Sequence, residues 1–146
     1  MKNSQEFDEM FAQAHQSVQE INVGELNDRI ANDHDHFYLL DVREDWEWEQ
    51  GHIFGAVHIG RGLLEFMVDK LIPNKSAEIV TYCRGGQRSV LAAKTLQALG
   101  YQNVKSLEGG ITAWVAAGDE IDGELLDREE HFALLKEQMP EIGFDQ

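Results

Sequence analysis

The sequence predicts an α/β fold with a mainly parallel central sheet flanked by helices on both faces. Three observations carry that expectation. Short, continuously apolar runs such as Phe37-Tyr-Leu-Leu-Asp41 and Glu78-Ile-Val-Thr-Tyr82 read as strands buried on both sides. These runs alternate with segments of helical periodicity, which implies crossover units. The chain of 146 residues is long enough to bury about 70% of the surface that its unfolded form exposes.

The elements follow in order. Phe7, Met10, Phe11, Ala14 and Val18 recur at helical spacing, so residues 5–19 predict an amphipathic helix. Asn22 is placed to cap a second helix that runs to about Asn32. The polar turn Asn32-Asp-His-Asp-His36 leads into the first apolar run. Asp45 to Gln50 suits a short helix that Gly51 ends, and Ala56 to Ile59 a brief strand. Leu63 to Leu71 is helical until Pro73-Asn74 stops it. After the second apolar run, Arg88 to Leu99 is a helix with Gly100 at its end. Asn103 to Leu107 predicts another strand, Gly110 to Ala117 another helix, and residues 125–138 a last one.

Composition narrows the function classes. The 27 acidic residues outnumber 12 basic ones, so the overall field repels a phosphate backbone and no nucleic-acid partner is expected. No apolar run reaches the roughly 18 residues of a membrane span, and residues 1–20 lack a secretory pattern, which together predict a cytoplasmic location and no membrane partner. Residues 119–146 hold ten acids and two bases, which reads first as a solvated acidic face and second as a docking surface for a basic partner. His34 and His36 lie in a turn with no fixed ligand set around them, so no metal is expected. His52 and His58 read as structural hydrogen bonders, and Trp46, Trp48 and Trp114 as packing residues.

Chemistry concentrates at Cys83, the only cysteine, which excludes an internal disulfide. It stands between a strand and a helix, and in parallel sheets ligands gather at such strand ends. The loop reads Cys83-Arg84-Gly85-Gly86-Gln87-Arg88-Ser89. A free thiol is mostly protonated at neutral pH, and three features here favour the thiolate. The loop opens a helix whose first N–H groups stabilise negative charge. Gly85 and Gly86 let their amides turn inward around an anion. Arg84 and Arg88 add permanent positive charge. Asp41 and Arg43, just past a strand end, read as a pair that braces this loop, and Arg61 between two glycines as a residue at its mouth.

Several ordered motifs together resemble the single-domain rhodanese-like sulfurtransferases: Leu40-Asp41-Val42-Arg43, Gly51-His52-Ile53 with Gly55-Ala56-Val57-His58-Ile59, the Cys83 loop, and Leu107-Glu108-Gly109-Gly110-Ile111 with Ala113-Trp114. The resemblance spans about residues 21–118, with residues 1–20 as an N-terminal helix and 119–146 as an acidic helical extension. It implies a rhodanese-like fold and sulfur transfer through a Cys83 persulfide, from a small sulfur-containing anion such as thiosulfate to cyanide, a thiol or an acceptor protein, without a cofactor. Cysteine-dependent phosphatases and arsenate reductases are the nearest enzymatic competitors. Their pattern resembles Cys-x5-Arg, whereas Arg88 stands one place earlier and Ser89 occupies the sixth position. A non-catalytic interaction module is the alternative from another class, and the presence of Cys83 counts against it.

Overall fold

The computed structural model describes residues 2–32 and 36–138. His34 and Met139 lie outside the described residues.

Five strands form the central sheet, in the order β1 (Gln19–Ile21), β6 (Asn103–Leu107), β5 (Glu78–Tyr82), β2 (Tyr38–Asp41) and β4 (Val57–His58), and each neighbouring pair is parallel. The central strands are Val, Ile and Leu rich because both faces are covered, and side chains two apart along a strand meet the same layer. Leu40, Ile79 and Val104 face a core shared with α1 (Gln5–Ser17), α4 (Leu64–Leu71) and α5 (Gln87–Ala98). Leu39, Val80 and Leu107 face the opposite core, with Leu26 of α2 (Val23–Ala31) and Ile111 and Trp114 of α6 (Gly110–Ala116). The expected fold class is therefore the observed one.

The helix starts are set locally. The Ser4 hydroxyl accepts from the Phe7 amide at 3.1 Å, and Asn22 and Glu25 exchange reciprocal side-chain to backbone bonds. A 3-10 turn at Arg61–Leu63 precedes α4, so the helical run begins with a tighter turn than periodicity suggested. Two features were not expected. β1 starts at Gln19, where the first helix is predicted to end, and continues through Ile21. A second, two-stranded antiparallel sheet joins β3 (Gly51–Ile53), after α3 (Asp45–Gln50), to β7 (Ile121–Gly123).

That small sheet turns the C-terminal segment back onto the domain. Trp114 donates to the Glu120 carbonyl at 3.0 Å, and Asn27 to the Asp119 carboxylate at 2.7 Å. The segment then reaches α7 (Arg128–Gln138), whose Phe132 and Leu135 are half-buried while Glu129, Glu130 and Glu137 are exposed. No helix among the described residues is long and apolar enough to cross a membrane.

Candidate active site

Cys83 follows β5 at the C-terminal edge of the sheet. Gly86 caps the N-terminus of α5 with φ +102°, a left-handed conformation that favours glycine, and a Cβ there would press within 3.2 Å of the Gly109 nitrogen. Gly85 differs: a Cβ on it would meet nothing within 4 Å. The turn directs the amides of Gly86 and Ser89 at the Cys83 sulfur, at 3.2 and 3.4 Å, and the Ser89 hydroxyl lies 3.4 Å from the same atom. Cys83 is only 1% exposed, yet it lines a cavity of about 290 Å³ together with Gly85, Gln87 and Arg88.

The outward-turned side of the loop is also held. The amides of Ile111 and Thr112, at the start of α6, donate to the carbonyls of Cys83 and Arg84 at 2.9 and 3.1 Å. These bonds hold the first two peptide units of the loop against the start of α6. Gly110 permits the approach, since a Cβ on it would lie 2.5 Å from both carbonyl oxygens. The Gly109-Gly110 pair thus builds one wall of the cysteine loop from a distant part of the sequence.

On the neighbouring strand, Asp41 and Arg43 form a buried ion pair with 2.8 Å between Arg43 Nη2 and Asp41 Oδ2, and Arg43 also donates to the Gly51 carbonyl at 2.6 Å. Burial disfavours the Arg43 charge, but the Asp41 carboxylate outweighs it and the guanidinium pKa is raised. Asp41 stands beside Tyr82 in the parallel register, and the Val42 amide donates to the Tyr82 carbonyl at 3.1 Å. The pair therefore lies beside the end of the strand that leads to Cys83. Burial, then the adjacent Asp41 charge, push the Tyr82 phenol pKa up, and its oxygen accepts from the Ile53 amide at 3.1 Å.

The two arginines of the loop have separate partners. Arg88 makes a two-toothed ion pair with Glu47 at 2.6 and 2.9 Å, so its charge is matched rather than free. Burial pushes the Glu47 carboxyl pKa up, but Arg88 and the Glu44 amide outweigh burial and hold it below the usual range. Arg84 donates to the Leu126 carbonyl at 2.9 Å, which ties the loop to the C-terminal segment, and burial lowers its pKa. His131 of α7 lies 3.9 Å from Glu47 and packs against Trp46 at 5.2 Å between ring centroids. Arg61 sits elsewhere: its guanidinium bonds Glu65 and Thr95, both at 2.9 Å.

Residue reading alone missed Glu47 and His131. Glu47 lies in an acidic run that looks like a solvated face, and His131 belongs to a segment outside the recognisable motifs. His52 and His58 do bond backbone carbonyls, at Trp48 and Arg43, and flank Trp48 in a stack.

The Rhodanese-like domain family model matches residues 22–117, the stretch that holds every part of the cysteine loop and its α6 support. The chain belongs to this family. Among curated proteins it is 39% identical over 97 residues to the Bacillus subtilis protein named "Putative sulfurtransferase YtwF", which covers 66% of this chain and 90% of that one. It is 34% identical over 119 residues to the tRNA uridine(34) hydroxylase of Hamiltonella defensa, covering 79% of this chain but only 33% of the relative. The shared stretch is thus about a third of that relative's length. A solved structure from Rhodopseudomonas palustris, RPA3614, described as a protein of unknown function and "Possible Tyrosine Phosphatase", matches with a TM-score of 0.75 at 30% identity, over 84% of this chain and 98% of that chain.

Proposed function

We propose that this rhodanese-like chain is a sulfurtransferase that carries sulfur as a persulfide on Cys83. The observation that carries the reading is the convergence of the Gly86 and Ser89 amides on the Cys83 sulfur at the floor of an open cavity. Aligned N–H dipoles stabilise an anion without needing a mobile cation, which suits a site whose Arg88 is already matched by Glu47.

The chemistry is two displacements at one sulfur atom. The Cys83 thiolate attacks the outer sulfur of a donor such as thiosulfate. A bond forms between the two sulfurs, the donor's own S–S bond breaks, and sulfite leaves with the electron pair. An acceptor nucleophile, cyanide or a thiolate, then attacks the outer sulfur of the persulfide. The Cys83–S bond breaks, thiocyanate or a new persulfide departs, and the Cys83 thiolate returns. Electrons balance within the two steps and no redox cofactor is required. Cys83 is the nucleophile; Gly86 and Ser89 supply amides; Gly85, Gln87 and Arg88 line the approach; Arg84 ties the loop outward; and Asp41 and Arg43 brace it. The position of Arg61 supports a role in fixing the 3-10 turn against α5 rather than in holding a donor.

The phosphatase reading, which the description of the Rhodopseudomonas neighbour raises, finds less support. A phosphate-gripping arginine would have to be free, whereas Arg88 is held by both oxygens of Glu47, and Ser89 at the sixth position is buried. A non-catalytic module has no need for amides aimed at a thiol. Intact-mass measurement after incubation with thiosulfate tests the proposal. We expect a gain of one sulfur atom, lost on adding cyanide and absent in Cys83→Ser. No gain with any sulfane-sulfur donor, together with hydrolysis of an aryl phosphate, would overturn it.

A further inference from the structure

Beneath the cysteine loop, the face of the sheet that packs on α5 carries a row of polar side chains where hydrocarbon is otherwise the rule. Thr81 and Ser106 are partners in the parallel register of β5 and β6, and strand alternation points both at α5 along with Ile79 and Val104. Thr81, Ser89 and Ser106 are all fully buried. Buried hydroxyls are unfavourable unless hydrogen bonded, so a row of three in one core asks for a reason. Thr81 has one: its hydroxyl donates to the Ser89 carbonyl at 2.9 Å and steadies the first turn of α5. Ser106 lies 2.8 Å from the Ser89 hydroxyl, with either oxygen able to donate, and Ser89 in turn lies 3.4 Å from the Cys83 sulfur.

Proton counting gives this chain a direction. A serine hydroxyl carries one hydrogen. A Cys83 thiolate carries none and can only accept. If Ser89 gives its single hydrogen to the sulfur, the 2.8 Å contact can be a hydrogen bond only with Ser106 as its donor. When the sulfur holds a proton and donates, both hydroxyls can rotate and the order reverses within the same heavy-atom positions.

We propose that Ser106, though remote in sequence from the Cys83 loop, is a positioning residue for the sulfur chemistry: its hydroxyl donates to Ser89 and thereby directs the Ser89 hydrogen to the sulfur whenever that sulfur is negatively charged. The inference rests on Cys83 acting as a thiolate nucleophile.

The test is the rate of Cys83 alkylation by iodoacetamide at neutral pH, which reads thiolate reactivity whether or not sulfur is transferred. Ser106→Ala should react about fivefold more slowly than wild type, the effect of one hydrogen bond of ordinary strength. Ser106→Thr, which keeps the hydroxyl, should restore the rate to within about twofold. Adding Ser106→Ala to Ser89→Ala should change nothing further, because the effect passes through Ser89. If Ser106→Ala fails to fold, Ser106→Val fills the space without a hydroxyl and is read in the same way. A folded variant lacking the hydroxyl that alkylates at the wild-type rate would overturn the proposal. So would an equal slowing in the Ser89→Ala background, or a Ser106→Thr variant as slow as Ser106→Ala. Thiosulfate loading of the wild type is measured alongside; its failure with alkylation as expected would count against sulfur transfer and not against the serine relay.

Discussion

Two loops leave adjacent parallel strands at the same edge of the sheet and put their polar groups to opposite uses. After β2, Asp41 and Arg43 bond each other and the Gly51 carbonyl, so this buried cluster is turned inward on itself. After β5, the donors of Gly86 and Ser89 converge on one sulfur atom that faces a cavity. A polar cluster closed on itself makes a frame, and one aimed at a single atom beside a cavity makes a candidate site. Glu47 at the start of α3 joins the two by holding Arg88.

The contrast can be broken most severely on the framing side. Arg43→Met strands the Asp41 carboxylate in the core, and urea unfolding should show a loss of about 3–5 kcal/mol. On the chemical side, Gly86→Ala forces a Cβ onto a left-handed residue, with an expected loss of about 1–2 kcal/mol and a slower gain of sulfur by mass. Gly85→Ala, with open space around it, should stay within about 0.5 kcal/mol of wild type. If the two glycines behaved alike, the loop would not hold the shape described.

The smallest expected effect concerns the tie between the loops. Burial, then Arg84, lower the His131 pKa, with Arg88 and Arg43 acting in the same direction and Glu47 opposing. An unfolded histidine titrates near about 6.5. Below that pH the unfolded chain takes up a proton that the folded protein resists, so stability declines as pH falls from there to the lower folded value, and this contribution then levels off. Thermal melts across that window should show His131→Gln with a flatter acid limb than wild type.

How much of this was legible in the sequence depended on whether a feature is local. The bounds of β5, β6 and α3 follow from apolar runs and a glycine stop, and match the observed Glu78–Tyr82, Asn103–Leu107 and Asp45–Gln50. The cysteine loop stood out because strand, thiol, glycines and helix are contiguous. β1, β3 and β7 did not, since three residues are too few to show alternation, and their pairing is decided by distant partners. Glu47 and Ser106 were hidden for a related reason. A glutamate among acids and a serine in a strand look ordinary until the fold sets one against Arg88 and the other against Ser89.

The bonds from Ile111 and Thr112 to the carbonyls of Cys83 and Arg84 also have a consequence for biosynthesis. A ribosome-tethered nascent chain that has exposed the cysteine but not yet residue 112 has no second half of the mould that shapes its loop. The contacts that hold the Cys83 and Arg84 carbonyls can therefore form only after α6 has emerged.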